Sequence, residues 1–460
     1  MCPATVGWDT VSELSAELRA LMDAHPQAPT MELLIPDLNG ILRGKRIQRS
    51  EFPRLADGLS LPRSMAILDS RGRIVEPLGL GSRDGDPDCL WRPVPGSLAP
   101  VPWSDTGLLQ CVLDIAEPAA APAAASSRLL LAQVVERLRA DNLCPTVAVE
   151  LEFYLLSREQ PPTPAAARVP GTDRRVVEPQ MYSLDDLQSH EALLADMARA
   201  CELQRLPAVT AISEYAPGQF EINLHHVDDP LLACDQAVLL RRLVRGVARR
   251  HGLAATFMAK PFTDHSGSGQ HVHLSLADRD GQRLFVDGDA PGAAVSQAAA
   301  GLLAHLPESM PLFCPSPNSY RRIRPDQFAP VAANWGRNHR GLAVRLPLSD
   351  ADNVRLEHRV AGADANSYLV MAAILAAAHR GISRRLEPPA AVPAGAEIEP
   401  VADLPDHWQA GLAALAAGDL LTEYFGADAV EQIAAVRRFE CAAFDDEVSS
   451  LDHDWYLRSI

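Results

Sequence analysis

Four short segments, each with one apolar face and one polar face, constrain this 460-residue chain more than any other feature. In residues 147–154, two-residue alternation puts Val147, Val149, Leu151 and Phe153 on one side of a strand and Glu150 and Glu152 on the other. Residues 220–225 set Phe220, Ile222 and Leu224 against Glu221, Asn223 and His225. Residues 271–276 present His271, His273 and Ser275, and residues 354–360 present Arg355, Glu357 and Arg359. Any one of these reads as a half-buried strand with a solvated outer face. Together they read differently, because the outward set contains no lysine and is drawn from glutamate, histidine and arginine. Glutamates gathered on one concave face repel one another unless a cation neutralises them.

The remainder of the chain frames these strands. Asp9 can cap a helix with an apolar stripe of Val11, Leu14, Leu18 and Leu21. Residues 31–35 and 41–47 read as strands joined at Asn39-Gly40, with further strands near 64–68 and 108–115 separated by a Pro/Gly-rich stretch, 76–102. An Ala/Pro-rich linker is expected over 117–125, and Ser126 or Ser127 opens a helix carrying Leu130, Val134 and Leu138. The expected organisation is α+β in two units, a small mixed-sheet unit over 1–118 and a larger one over 126–460. Residues 160–170 and 387–405 read as surface insertions.

Side chains two apart on a strand are about 7 Å apart at Cα, so Glu150 and Glu152 can each reach a different metal ion. Residues 214–221 add Glu214 and Glu221 on either side of a Pro-Gly turn. Carboxylates with an imidazole suit Mg²⁺ or Mn²⁺ rather than zinc. Arg321, Arg322, Arg324, Arg337, Arg340, Arg345, Arg355 and Arg359 lie close together in sequence. They are either solvated surface or, beside a metal, the cations that spread phosphate charge in phosphoryl transfer. Gly267-Ser268-Gly269 permits close backbone approach to a small ligand.

In order, these segments resemble the signature motifs of the glutamine synthetase family: E-x-E at Glu150/Glu152, E-x-x-x-G-Q-x-E from Glu214 to Glu221, Lys260-Pro261 with a G-S-G-x-H-V-H run from Gly267, N-S-Y-x-R ending at Arg322, and R-x-E-x-R from Arg355. The resemblance implies a small β-grasp domain and a larger catalytic domain with a curved antiparallel sheet flanked by helices. It implies one Mg²⁺ on Glu152, Glu214 and Glu221 near a glutamate substrate, and another on Glu150, His271 and Glu357 near ATP. Arg340, Arg345 and Arg355 match phosphate-contacting positions, and His273 and Ser275 match nucleotide-side positions. Arg322 and Arg359 match residues that grip the substrate carboxylate and the transferred phosphoryl group, and Gly267 matches a backbone contact to glutamate. The implied catalytic set is Arg322, Arg340 and Arg359, working in a hexameric or dodecameric ring with active sites between subunits.

Departures from that pattern fall around the acceptor. Where ammonia-using members carry a loop glutamate, this chain has Phe328; where they carry an acidic D-G-S-S segment, it has Leu61-Pro62-Arg63-Ser64; and Ser266 replaces an asparagine. Phe328 and Trp335 favour an organic amine with an apolar body, so the pattern resembles the γ-glutamylpolyamine synthetase branch, with putrescine, a longer polyamine or another primary amine as acceptor. The alternatives are an ammonia-using glutamine synthetase, with Phe328 merely a loop anchor; a metal-dependent amidohydrolase, for which the further barrel-strand ligands are missing; and a non-catalytic ring scaffold. A net charge of −17 argues against a nucleic-acid partner. Eight scattered cysteines without a C-x-x-C pair, a first twenty residues without a signal-peptide core, and an apolar run (368–378) too short to span a bilayer lead us to expect a cytoplasmic protein with no membrane partner.

Overall fold

A computed structural model describes residues 11–460 except 82, 117–121, 123–125, 159–164, 169, 171–177, 289, 326–327, 397 and 399–403. Asp9 and nearly all of the expected linker lie outside the described residues.

The first sheet forms from the expected hairpin. Strands β1 (Thr30–Pro36) and β2 (Leu42–Gln48) pair antiparallel across a turn at Gly40, whose φ of 71° suits glycine. Four more strands, β3 (Leu59–Pro62), β4 (Asp88–Pro93), β5 (Ala99–Pro100) and β6 (Leu109–Ile115), complete a mixed sheet in the order β2-β1-β6-β4-β3, with β5 on β6. Helix Val11–Ala24 buries Leu14 and Leu18, two of the four stripe residues. The strand expected at 64–68 is not there. Residues Arg63–Ala66 form a 3-10 turn, held where the Ser64 hydroxyl donates to Asp86 Oδ2 at 2.7 Å, and the strand lies just before it, paired to β4. The Pro/Gly-rich stretch taken as a separator carries β4 and β5.

The second sheet has eight strands: β7 (Cys144–Ser157), β8 (Ala208–Ser213), β9 (Gln219–Leu224), β10 (Leu253–Thr256), β11 (Gln270–Ala277), and, after a separate two-strand pair β12 (Val286–Asp287) and β13 (Ala290–Pro291), β14 (Trp335–Arg337), β15 (Val344–Leu346) and β16 (Leu356–His358). Its order is β14-β15-β16-β11-β7-β9-β8, with β10 on β7; β14 and β15 run parallel and the other pairs antiparallel. Val147, Val149, Leu151 and Phe153 are all buried, as alternation requires, and helix Pro230–Arg250 packs on β7. The run 368–378 is buried throughout inside helix Ser367–Ser383, which Asn366 caps by accepting from Tyr368 N at 3.0 Å. This is the α+β arrangement of a small sheet unit and a larger helix-backed, mainly antiparallel sheet. Among the described residues no helix is long and apolar enough to cross a membrane.

Candidate active site

Register, more than sequence proximity, assembles the site. His271 lies opposite Glu150, Glu150 opposite Asn223, and Glu152 opposite Glu221, so β11, β7 and β9 present one continuous polar row. On the other side His273 is opposite Glu357, and Glu357 opposite Arg345. Glu150, Glu152, Glu214, Glu221, His271 and Glu357 all line one cavity of about 470 Å³, together with His273, Gly267, Arg322, Phe328, Arg340, Arg345, Arg355 and Arg359. The six expected ligands therefore converge.

Their grouping differs in part from expectation. Glu152, Glu214 and Glu221 each bring an oxygen within 4.8 Å of the other two, as one triad should. The second triad splits: Glu150 and Glu357 stand with His273, whereas His271 stands with Glu150 and Glu221. The reason is cross-strand geometry, since His273 rather than His271 is the direct neighbour of Glu357. His273 is also clamped, with Nε2 2.8 Å from Glu150 Oε1 and Nδ1 3.2 Å from Arg355 Nε.

Electrostatics shows what the cluster lacks. Burial pushes the Glu221 carboxyl up to about 9, and the charges of Glu150, Glu152 and Glu214 add to the effect. Glu152 rises to about 7 through burial and then Glu214, and Glu214 is raised chiefly by burial. Burial also opposes ionisation of Glu357 and Glu150. Arg359 and the two histidines nevertheless hold Glu357 at about 2, and His271 and His273 hold Glu150 well below the usual carboxylate range. Burial and Arg359 lower His271 to about 4, leaving a neutral imidazole able to ligate. Strained carboxylates beside a neutral imidazole form an oxygen-rich donor set that fits divalent cations of the Mg²⁺ or Mn²⁺ type.

The loop backbone is tightly specified. Gln219 Nε2 donates to the Gly267 carbonyl at 3.0 Å, Tyr154 Oη donates to the Ser266 carbonyl at 2.7 Å, and Gly269 N donates to Glu152 Oε2 at 2.7 Å. A Cβ at Gly267 would sit 2.6 Å from Arg322 Cγ and 2.7 Å from the Ala259 carbonyl, so only glycine lets this turn approach Arg322. Arg322 is buried and pinned, donating to the Val360 and Arg359 carbonyls at 2.8 and 3.1 Å. Arg345 donates to Glu357 Oε2 at 2.6 Å and Arg359 also bonds Glu357, whereas the Arg340 guanidinium makes no hydrogen bond among the described residues. Ser275 sits next door, its hydroxyl donating to the Val354 carbonyl, in a hollow of about 600 Å³ that shares Glu150, Asn223, His273 and Arg355 with the carboxylate cavity.

Two expectations about the acceptor side are revised. Trp335 does not line the cavity: β14 carries it to the edge of the sheet, where its indole N–H donates to the Pro389 carbonyl at 2.8 Å. The segment 61–64 carries no acid of its own, yet folding sets Asp86 against it. Phe328 does line the cavity, 60% exposed, in a left-handed backbone conformation (φ 56°) with its ring 5.0 Å from that of Tyr215. Met181, Tyr182, Tyr215 and Leu348 join it on the wall and are all exposed. None of these four was singled out in the sequence, since they come from three separate loops with no common spacing.

Known proteins agree with this arrangement. Residues 124–456 match the model of the glutamine synthetase catalytic domain. The chain is 37% identical over 456 residues to a gamma-glutamylputrescine synthetase of Escherichia coli strain K12, covering 97% of this chain and 96% of that one. It is 31% identical to a gamma-glutamylethanolamide synthetase of Streptomyces coelicolor (96% and 94% covered) and 31% identical to a glutamate–isopropylamine ligase of a Pseudomonas species (81% and 82% covered). The solved structure of GmaS without ligand superposes with a TM-score of 0.81 at 26% identity, covering 95% of this chain and 99% of that one. Because the matched span contains the whole eight-stranded sheet and every residue of the carboxylate cavity, the chain belongs to the glutamine synthetase family.

Proposed function

We propose that the chain is an ATP-dependent glutamate–amine ligase. The γ-carboxylate of glutamate takes the terminal phosphoryl group of ATP, and a primary amine then displaces phosphate, forming the C–N bond of a γ-glutamylamide and releasing a proton. The named activities of the three relatives support the class, and one observation carries the choice of acceptor. The cavity wall that holds Phe328 is apolar and aromatic, built from Met181, Tyr182, Tyr215, Phe328 and Leu348. Such a wall favours an alkyl or aryl body on the amine, with the ring faces available to its cationic form.

The chain's own groups divide the work. Glu152, Glu214 and Glu221 would hold one Mg²⁺ or Mn²⁺, and Glu150 with Glu357 and the two histidines another. Bound there, the ions supply Lewis-acid polarisation and a template for the phosphates. Arg340, whose guanidinium makes no hydrogen bond among the described residues and whose charge acts on Glu214, is suited to follow the transferred phosphoryl group, with Arg345, Arg355 and Arg359 spreading charge from fixed positions. Arg322, locked by two carbonyls, orients the substrate carboxylate beside Gly267. His273 and Ser275 face the adjoining hollow, where the nucleotide fits.

The same proposal includes units bounded at 1–118 and 126–460, a cytoplasmic setting and assembly into a hexameric or dodecameric ring. The buried cysteines among the described residues suit a reducing compartment. The C-terminal residues Trp455, Leu457 and Ile460 are exposed and apolar, which suits self-association. Phosphate release from ATP, measured with glutamate plus ammonium against glutamate plus a panel of alkyl, aryl and diamine acceptors, tests the reading. Turnover with an organic amine well above that with ammonium is the expected result; ammonium as best substrate overturns the amine assignment.

A further inference from the structure

Away from the carboxylate cavity, a second cavity of about 540 Å³ lies where helix Pro230–Arg250, the Gly40 turn, the segment 315–318 and helix Ala427–Asp445 meet. Its polar lining has hydrogen-bond donors to spare. Arg241 and Arg437 are buried with no acceptor for Nε, and the buried indole N–H of Trp408 has none either. Arg245, one helical turn from Arg241, forms neither a hydrogen bond nor an ion pair among the described residues and rests over the Phe257 ring at 5.1 Å. Against these donors, Asp364 Oδ1 is the buried lining oxygen without a hydrogen bond among the described residues, Glu447 lines the cavity with an exposed carboxylate, and Glu440 is occupied by Arg437 and by the Ser70 amide. Burial, and then the neighbouring charge of Arg245, push the Arg241 guanidinium down to about 10, although the charge of Asp364 acts in the opposite direction. Phe257, Met258 and Phe444 supply an apolar wall.

Buried donors that lack acceptors are costly, and native proteins rarely keep several in one place without something to fill them. The volume is that of a small-molecule site. We propose that this cavity binds a small organic anion, a carboxylate with an apolar body, held by Arg241 and Arg245 and covered by Phe257 and Phe444, and that its occupancy tunes the carboxylate cavity. The route is short. Arg241 bonds the side chain of Gln270, the residue immediately before His271 on β11, and Arg241 Nη2 also donates to the Ala365 carbonyl at 2.8 Å. On the other wall, Asn318 grips the Lys260 backbone at 2.8 and 2.9 Å and stands in the short helix Pro317–Tyr320 that leads to Arg322.

The site does not depend on the identity of the acceptor amine. Calorimetric titration of the full chain with benzoate, phenylacetate, butyrate and inorganic phosphate, each with and without Mg²⁺-ATP, tests it. Saturable binding of the organic carboxylates is expected in both conditions, tighter than phosphate. Arg245→Glu should weaken it by about tenfold or more through reversed charge. Ala443→Trp, which fills the cavity from helix Ala427–Asp445 without changing charge, should abolish it should the first variant fold poorly. The bound carboxylate should also shift Mn²⁺ affinity in the unaltered chain and leave it unchanged in Arg245→Glu. No saturable binding, binding indifferent to both substitutions, or phosphate binding as tightly as the carboxylates overturns the site; binding without any shift in Mn²⁺ affinity overturns its regulatory role.

Discussion

Replacing Glu221 by glutamine should stabilise the metal-free protein while weakening it in the presence of metal. Glu221 is 6% exposed and its carboxyl is raised to about 9 by burial and by three neighbouring carboxylates. A carboxyl whose folded pKa lies above its unfolded value binds its proton more tightly when folded. It therefore contributes full stability below the unfolded value of 4.5 and loses it as pH climbs towards about 9. At about pH 8 the wild-type protein has lost at most ~5 kcal/mol through this one group, taking ~1.4 kcal/mol per unit. With roughly 2.1 cal/mol/K of unfolding entropy per residue, a 460-residue chain moves about one degree per kcal/mol, so Tm should rise by up to ~5 °C in the variant. Near pH 5 the two proteins should melt together, because wild-type Glu221 is then protonated. Saturating Mg²⁺ should reverse the order at pH 8, since the wild-type carboxylate gains a cation and the amide does not. Thermal melts in chelator and in Mg²⁺ at both pH values provide the measurement. A wild-type melting point flat with pH in chelator, or equal Mg²⁺ stabilisation of both proteins, would refute the reasoning that this cluster is a set of frustrated carboxylates awaiting cations.

Three further outcomes follow from the same geometry. Arg340→Ala should lower kcat by about 10²–10³ with little change in the amount of folded protein, because its guanidinium makes no hydrogen bond among the described residues; steady-state kinetics beside a melting curve checks this, and a matching loss of stability counts against it. Phe328→Glu should move the preference towards ammonium, raising the ratio of kcat/KM for ammonium over an organic amine by about tenfold or more, and an unchanged ratio would remove Phe328 from the acceptor site. Glu214→Ala should reduce the number of tightly bound Mn²⁺ ions by one per chain, counted by electron paramagnetic resonance, without disturbing the ion held near Glu357.

How much of this the sequence disclosed depends on whether a strand was long enough to show its period. Strands β7, β9 and β11 could be read because six or more alternating residues fix a face, and those faces carry the ligands. Strands β3, β4 and β5 were hidden or displaced because two to six residues rich in proline leave no period, and pairing decides them, β4 and β5 on β6 and β3 on β4. That His273 rather than His271 stands opposite Glu357 was out of reach for another reason. Both point the same way along β11, and only its register against β16 and β7 tells which one meets Glu357. Trp335 was misplaced because nearness in sequence to Phe328 suggested nearness in space, whereas β14 carries it off to Pro389. Asp86 escaped notice because a turn brings it back to Ser64 from 22 residues away.

The two halves of the cavity are written in different parts of the backbone. Glu150, Glu152, Glu221, His271, His273 and Glu357 stand on paired strand positions, where inserting one residue into β7 would turn its two glutamates inwards and its valines outwards. The wall around Phe328 comes from connecting segments free of such bookkeeping. Lineages descended from such a scaffold can exchange one nucleophile for another by rewriting loops, while the energy-coupling apparatus stays untouched beneath them.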